Sequence, residues 1–313
     1  MELSPISHTP APDGTLLANY AWEPAADTAP PLAGPGTPSI YLLHGLSEHA
    51  GRYDRLARRL SALGWRVGMH DHRGHGQSQG APATLATQED LVLDAASQLR
   101  AWTAAQGRPP VLLGHSLGGL VAARIALQRR ADLAGLVLAS PPFQVRVPNW
   151  TKPALTWLAL RYPDVRVPHG LAPGNTTHDR AVVAAFKADP LVHRCITGRL
   201  AHFIEQGGRE SLRDADQLNC RTLLLVAGAD RIVAAQGSRL FASRAPAGLA
   251  TLKWYDGAWH ELFNELPAVA DQVHADLEHW LAGLAFETAP AMAPEALSLQ
   301  DVDLPQAIDA VTP

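Results

Sequence analysis

Val111-Leu112-Leu113 runs into Gly114-His115-Ser116-Leu117-Gly118, which opens onto the helix-like stretch Leu120–Arg130. A buried strand, a Gly-x-Ser-x-Gly turn and a helix, in that order, are the sequence form of a nucleophile elbow. Such a bend holds a serine hydroxyl clear of the backbone. Glycines at 114 and 118 suit places where neighbouring backbone comes too close for a Cβ. The pentapeptide is short, and the strand before it and helix after it give it weight.

A serine hydroxyl becomes a nucleophile at neutral pH only beside a base that a third group orients. On a sheet of this kind the chain order is Ser, then Asp or Glu, then His. Each sits in a loop beyond a strand end, where open α/β sheets place ligands. Arg221–Ala227 reads as a buried strand ending at Gly228-Ala229-Asp230, and Leu249–Tyr255 as a strand followed by Asp256-Gly257-Ala258-Trp259-His260. Ser116, Asp230 and His260 therefore read as nucleophile, acid and base. Asp256 competes for the acid role, but it precedes His260 by four residues in one loop and suits a turn former. Acyl transfer also needs N–H donors for the oxyanion. The residue after the nucleophile, Leu117, supplies one; Leu46, in the turn after strand Ser39–Leu43, supplies the second.

Outward from the elbow, strands and helices alternate. Leu16–Trp22 reads as an edge strand and Pro24–Pro38 as a linker. Strand Ser39–Leu43, helix Tyr53–Leu63, strand Trp65–His70, helix Gln88–Ala105 and strand Gly135–Ala139 complete the first half, and helix Pro267–Leu284 closes the domain. Thr87 with Asp90 three residues later is a capping-box-like start. The alternation predicts an α/β class with a mostly parallel central sheet and helices on both faces.

Between about 142 and 208, Pro148, Pro153, Pro163, Pro168 and Pro173 break the pattern. An inserted helical cap is expected there. Trp150, Ala154, Trp157, Leu158 and Arg161 fall at helical spacing, with Leu155 alongside. That stripe lines an acyl channel or touches a membrane surface, or it packs the cap onto the core. Residues 285–313, rich in Ala and Pro and lacking Lys and Arg, read as a disordered tail.

Seven stretches, HGLSEHAGRY (His44–Tyr53), DHRGHGQSQG (Asp71–Gly80), LLGHSLGG (Leu112–Gly119), SPPF (Ser140–Phe143), DPLVHR (Asp189–Arg194), GADRIV (Gly228–Val233) and GAWHELFNELP (Gly257–Pro267), occur in this order. Together they resemble monoacylglycerol lipase-type serine hydrolases of the α/β-hydrolase superfamily, from about Leu16 to Leu284. The resemblance implies one α/β-hydrolase domain over residues 1–284, with the same triad and the same oxyanion donors. It also implies that Glu48 and Arg52 sit near the alcohol-binding end; on the acyl-channel reading of the cap stripe, Trp157 and Leu158 contact substrate. Three residues after the base, near the glycerol end of the pocket, such enzymes often set a second histidine; this chain has Phe263 there, which the resemblance places beside the substrate. That departure leaves glycerol recognition open.

A chain of 313 residues at 47% hydrophobic content suffices for one sizeable core. A net charge of −4 gives no footprint of nucleic-acid binding. No 18-residue apolar window predicts a membrane span, and no basic, apolar leader opens the chain. A cytoplasmic protein, membrane-peripheral at most, is the expectation. Cys195 and Cys220 form no C-x-x-C, so neither disulfide framework nor zinc site is indicated. His70, His72 and His75 cluster in MHDHRGHG, but among loop glycines they read as structural, and neither metal nor cofactor is expected.

The expected activity is a serine carboxylic ester hydrolase acting on single-chain acyl lipids, of monoacylglycerol or lysophospholipid type. Alternatives are a broad short-chain carboxylesterase, a peptidase, or a non-catalytic binder on the same fold. The expected partner is a small acyl ester or lipid, with transient membrane contact through the cap and no nucleic acid.

Overall fold

A computed structural model describes residues 3–24, 28, 36–146, 157, 159 and 161–284. Most of the Pro24–Pro38 linker, the stripe residues Trp150, Ala154, Leu155 and Leu158, and the tail 285–313 lie outside the described residues. Eight strands form one sheet in the order β1 (Ser7–Pro10), β2 (Leu16–Trp22), β4 (Arg66–His70), β3 (Ser39–Leu43), β5 (Val111–His115), β6 (Gly135–Ala139), β9 (Thr222–Ala227) and β10 (Ala250–Tyr255). β2 pairs antiparallel with β1 and β4, and every junction from β4 to β10 is parallel.

The central strands are continuous apolar runs because both faces are covered. Successive side chains alternate between the two sides. Ile40, Leu42, Leu113, Val137 and Leu225 pack on one face under α1 (Asp54–Ala62) and α7 (Pro267–Ala282), contributing to a cluster with Leu56, Leu60, Leu277 and Trp280. Tyr41, Leu43, Leu112, Leu138 and Leu224 point the other way. They meet α2 (Asp90–Gln106), α3 (Leu117–Leu127), α5 (Gly198–Arg213) and α6 (Gln236–Arg244), with Leu99, Leu120, Phe203 and Phe241 in the contact.

Several boundaries differ from the sequence expectation. Leu16–Trp22 is not the edge strand; β1 pairs outside it, with Ser7 opposite Asn19. Only one arm of the expected capping box forms, since Asp90 Oδ2 accepts from Thr87 N–H at 3.1 Å while Thr87 Oγ1 accepts from Glu89 N–H at 3.2 Å. The same carboxylate accepts from Ala86 N–H and pairs with Arg73, and helix α2 starts at Asp90. Helix α3 starts at Leu117 rather than Leu120, because the elbow passes straight into it.

The stretch between β6 and β9 carries an antiparallel pair, β7 (Arg166–Pro168) with β8 (Cys195–Thr197), together with α4 (Arg180–Ala188) and α5. Asp179 caps α4 by accepting from Ala181 and Val182 N–H, and Thr197 caps α5 by accepting from Leu200 N–H. Helix α5 runs through residue 208 to Arg213, held to α3 by pairs from Arg124 to Glu210 and Asp214. Among the described residues, no helix is long and apolar enough to cross a membrane.

Candidate active site

Ser116 joins β5 to α3 with φ 51° and ψ −120°. A positive φ on a non-glycine residue is strained and persists only where the surroundings enforce it. Here the glycines allow it. A Cβ on Gly114 would lie 2.2 Å from Gly118 O, and one on Gly118 would lie 2.2 Å from Leu43 O. The bend is pressed into the end of β3, and its hydroxyl points outward.

Three strand-end loops converge on that hydroxyl. His260, in the loop after β10, has Nε2 2.8 Å from Ser116 Oγ. Its Nδ1 lies 2.7 Å from Oδ2 of Asp230, beyond β9. The other Asp230 oxygen accepts from Ile232 N–H at 2.7 Å and Val233 N–H at 2.9 Å. With Nδ1–H donating to Asp230, Nε2 is left as the acceptor for the serine proton. Burial alone would raise the Asp230 carboxyl, but the His260 charge and hydrogen bond, with the two backbone donors, hold it below its usual value. Burial works against a charged His260 as well; the Asp230 carboxylate outweighs it and raises the imidazole above 6.5, with Glu261 and Glu48 adding to the effect. Asp256, the rival acid, lies exposed in its turn and accepts from Trp254 Nε1 at 2.8 Å.

Leu117 is the first residue of α3, so its N–H has no helical partner and sits at the positive end of the helix dipole. Leu46 lines the same cavity as Ser116 and Leu117. Gly45 makes that closeness possible, since a Cβ there would lie 3.3 Å from Ser116 Cβ and 2.9 Å from Glu48 Oε2. His44 fixes the turn: Nδ1–H donates to Gly45 O at 2.8 Å, and Nε2 accepts from His72 N–H at 2.9 Å. His70, His72 and His75 pack around it, all held well below the usual imidazole value by burial. They brace loops as neutral rings. Among the described residues, no group of three or more His, Cys, Asp or Glu side chains has the arrangement to hold a metal ion.

Among the described residues, two cavities adjoin Ser116. The larger, about 410 Å³, is lined mainly by apolar groups, including Leu117, Val145, Ala159, Ile196, Ile204 and Val233. The smaller, about 40 Å³, lies beside Glu48, His115, Thr176, Phe186, His260 and Glu261. Glu48 is buried, with Oε2 accepting from Gly45 N–H at 2.8 Å and Tyr53 OH at 2.7 Å, and Oε1 from Arg52 Nε at 3.1 Å. Arg52 donates through Nη2 to Glu261 Oε2 at 2.5 Å and lays its guanidinium 4.6 Å from the Phe186 ring centre. Burial pushes Glu48 up, but Arg52, His115 and the donated hydrogen bonds outweigh it and bring the carboxyl to about 2. Glu261 goes the other way: burial and the nearby Glu48 charge raise it in spite of Arg52.

Phe263, expected at the alcohol end, lies instead in the core, its ring centre 5.6 Å from that of His274. It borders a narrow crevice with Arg52 and His115. Its apolar ring finds a better partner in the α1–α7 layer than in a polar pocket. Trp157 is 63% exposed and packs edge-on against Tyr162, so Ala159 lines the cavity from that stretch while Trp157 faces out. Leu158 lies outside the described residues. Sequence reasoning missed Glu261 and Glu265. Glu265 is buried and accepts from Trp259 N–H at 2.8 Å and His178 Nδ1 at 2.8 Å, bracing the His260 loop. Both lie inside the stretch already singled out around His260, and that proximity was the available signal.

A mostly parallel sheet with Ser, Asp and His on three strand-end loops, in that chain order, is the architecture of an α/β hydrolase. The family profile described as serine aminopeptidase, S33 (Hydrolase_4) matches residues 36–267. Monoglyceride lipase of Homo sapiens is 31% identical over 289 residues, covering 88% of this chain and 90% of that protein. Monoacylglycerol lipase of Mycolicibacterium smegmatis is 33% identical over 242 residues, covering 72% of this chain and 82% of that protein. The crystal structure of Paleococcus ferrophilus monoacylglycerol lipase superposes with a TM-score of 0.75 at 28% identity, covering 86% of this chain and 99% of that one. The chain belongs to the monoglyceride lipase-like serine hydrolases of the α/β-hydrolase fold.

Proposed function

We propose that this enzyme hydrolyses monoacylglycerols, and that Ser116, His260 and Asp230 are its catalytic residues. The observation that carries the reading is that Ser116 lines both an apolar cavity of about 410 Å³ and a small acid-lined pocket. The first suits a single acyl chain and the second a small polar alcohol.

In this reading Ser116 Oγ attacks the ester carbonyl as Nε2 of His260 takes its proton. Leu46 and Leu117 N–H hold the oxyanion. The carbon–oxygen bond to glycerol breaks, and the imidazolium returns the proton to the departing alcohol oxygen. Water, deprotonated by the same nitrogen, then attacks the acyl-enzyme, and the fatty acid leaves with Ser116 restored. Asp230 keeps the imidazole in the productive tautomer and offsets its charge.

The stretch between β6 and β9 serves as the cap over the cavity. Trp157, Tyr162, Val165, Val167 and Leu171 are exposed on it, which supports transient contact with a lipid surface through this face. The test is hydrolysis of 1-lauroylglycerol against p-nitrophenyl butyrate by wild type and Ser116→Ala. Preference for the lauroyl lipid, lost in the variant, is the expected result. Butyrate turnover alone would leave a short-chain esterase, and full activity of the variant would remove Ser116 from the mechanism.

A further inference from the structure

Beside Ser116, the small pocket is lined by two carboxylates, those of Glu48 and Glu261. Arg52 lies behind them and does not line it. The guanidinium donates through Nε to Glu48 and through Nη2 to Glu261, and its face lies over Phe186. The arginine nearest the site therefore offers no open side to the pocket. The other titratable groups facing it are His115, His169 and His260. Burial brings His115 down to about 4 and lowers His169, so both stay neutral near pH 7. His260 is already paired with Asp230. Among the described residues lining the larger cavity, Arg146 is the one arginine, and its Nε donates to Val233 O at 3.0 Å on the acyl side.

We infer that Glu261 is a specificity-determining residue for the leaving alcohol, making the pocket an acceptor site that admits neutral polyols and turns away phosphate-bearing ones. The inference rests on the monoacylglycerol reading and narrows it. Carboxylate oxygens accept hydrogen bonds and donate none, so they match the hydroxyls of glycerol. A phosphate would meet like charge, and no described residue lining the pocket is an arginine or lysine that could answer it. Glu261 matters most because it takes up the second edge of Arg52. Without the Glu261 charge, Arg52 would be answered by Glu48 alone, and the group of two carboxylates and one guanidinium beside the pocket would turn from net negative to neutral.

The experiment compares kcat/KM for 1-lauroylglycerol and its 3-phosphate, each at the same mole fraction in one non-ionic detergent. The ratio is the readout, because any loss of stability common to both substrates cancels. Wild type should favour the neutral lipid by roughly 100-fold or more, as like-charge juxtaposition demands. Glu261→Gln, similar in shape and still able to accept from Arg52 but uncharged, should lower that ratio about 10-fold as the pocket loses one of its two negative charges, and Glu261→Asp should keep it within about 3-fold of wild type. A wild-type ratio near one overturns the inference even if no variant folds. So does a ratio in Glu261→Gln equal to that of wild type. If wild type cleaves p-nitrophenyl laurate but not 1-lauroylglycerol, the monoacylglycerol reading itself fails and the inference falls with it.

Discussion

A Cβ on Gly118 would lie 2.2 Å from the carbonyl oxygen of Leu43, so the first turn of α3 and the end of β3 are in backbone contact. That contact brings the Leu46 turn alongside Ser116 and Leu117. Gly118→Ala must push the two backbones apart, at a cost of about 1–3 kcal/mol or more. Thermal denaturation should show a clear drop in Tm, and the folded fraction should lose kcat because the Leu46 turn no longer sits alongside Ser116 and Leu117. A variant with wild-type Tm and kcat would refute this account of the packing.

Asp230 and Asp256 lie in neighbouring loops, yet only Asp230 touches His260. Asp230→Asn keeps the shape but favours the wrong imidazole tautomer, and kcat should fall roughly 10⁴-fold. Asp256→Asn alters an exposed turn and should change kcat by no more than about twofold. Steady-state kinetics on one ester separates the two acids.

The pH profile follows from His260. The ring must be neutral to accept the Ser116 proton, and its environment raises it above 6.5. Activity is therefore absent at low pH and should rise with pH, with the midpoint of the acidic limb of kcat/KM lying above 6.5. Glu261 contributes to that elevation, so Glu261→Gln should move the limb to lower pH. A limb that stays in place, measured over the same buffers, would separate Glu261 electrically from the base.

Ile204 lines the larger cavity from α5. Ile204→Trp fills part of the space an acyl chain needs. The preference for lauroyl over butyryl esters should fall about 10-fold or more, the scale on which a pocket reads methylene groups. An unchanged chain-length profile would place the acyl group elsewhere.

Much of this arrangement is legible in the chain. Ser39–Leu43 and the strand ending at Ala227 announce themselves because strands buried on both faces read as unbroken apolar runs. Ser116, Asp230 and His260 come together because each follows such a run. Strands β7 and β8, three residues apiece, are too short to show a period, and β7 is exposed along its length. Arg52 and Glu261 are 209 residues apart, and no local pattern announces their pairing. Phe263 misled because its position after His260 suggested the pocket, whereas burial among apolar neighbours decided where the ring goes.

The base is carried by the outermost strand. Among the described residues strand β10 pairs with β9 alone, most of its residues are half-exposed, and His260 hangs from the loop beyond it. Ser116 is carried by β5, flanked on both sides. Sheet margins open more readily than centres. Under mild denaturant the amides of Ala250–Tyr255 should exchange with solvent before those of Val111–His115. Hydrolysis should then stop while most of the sheet is still intact, so inactivation reports the fraying of one margin and precedes the melting of the fold.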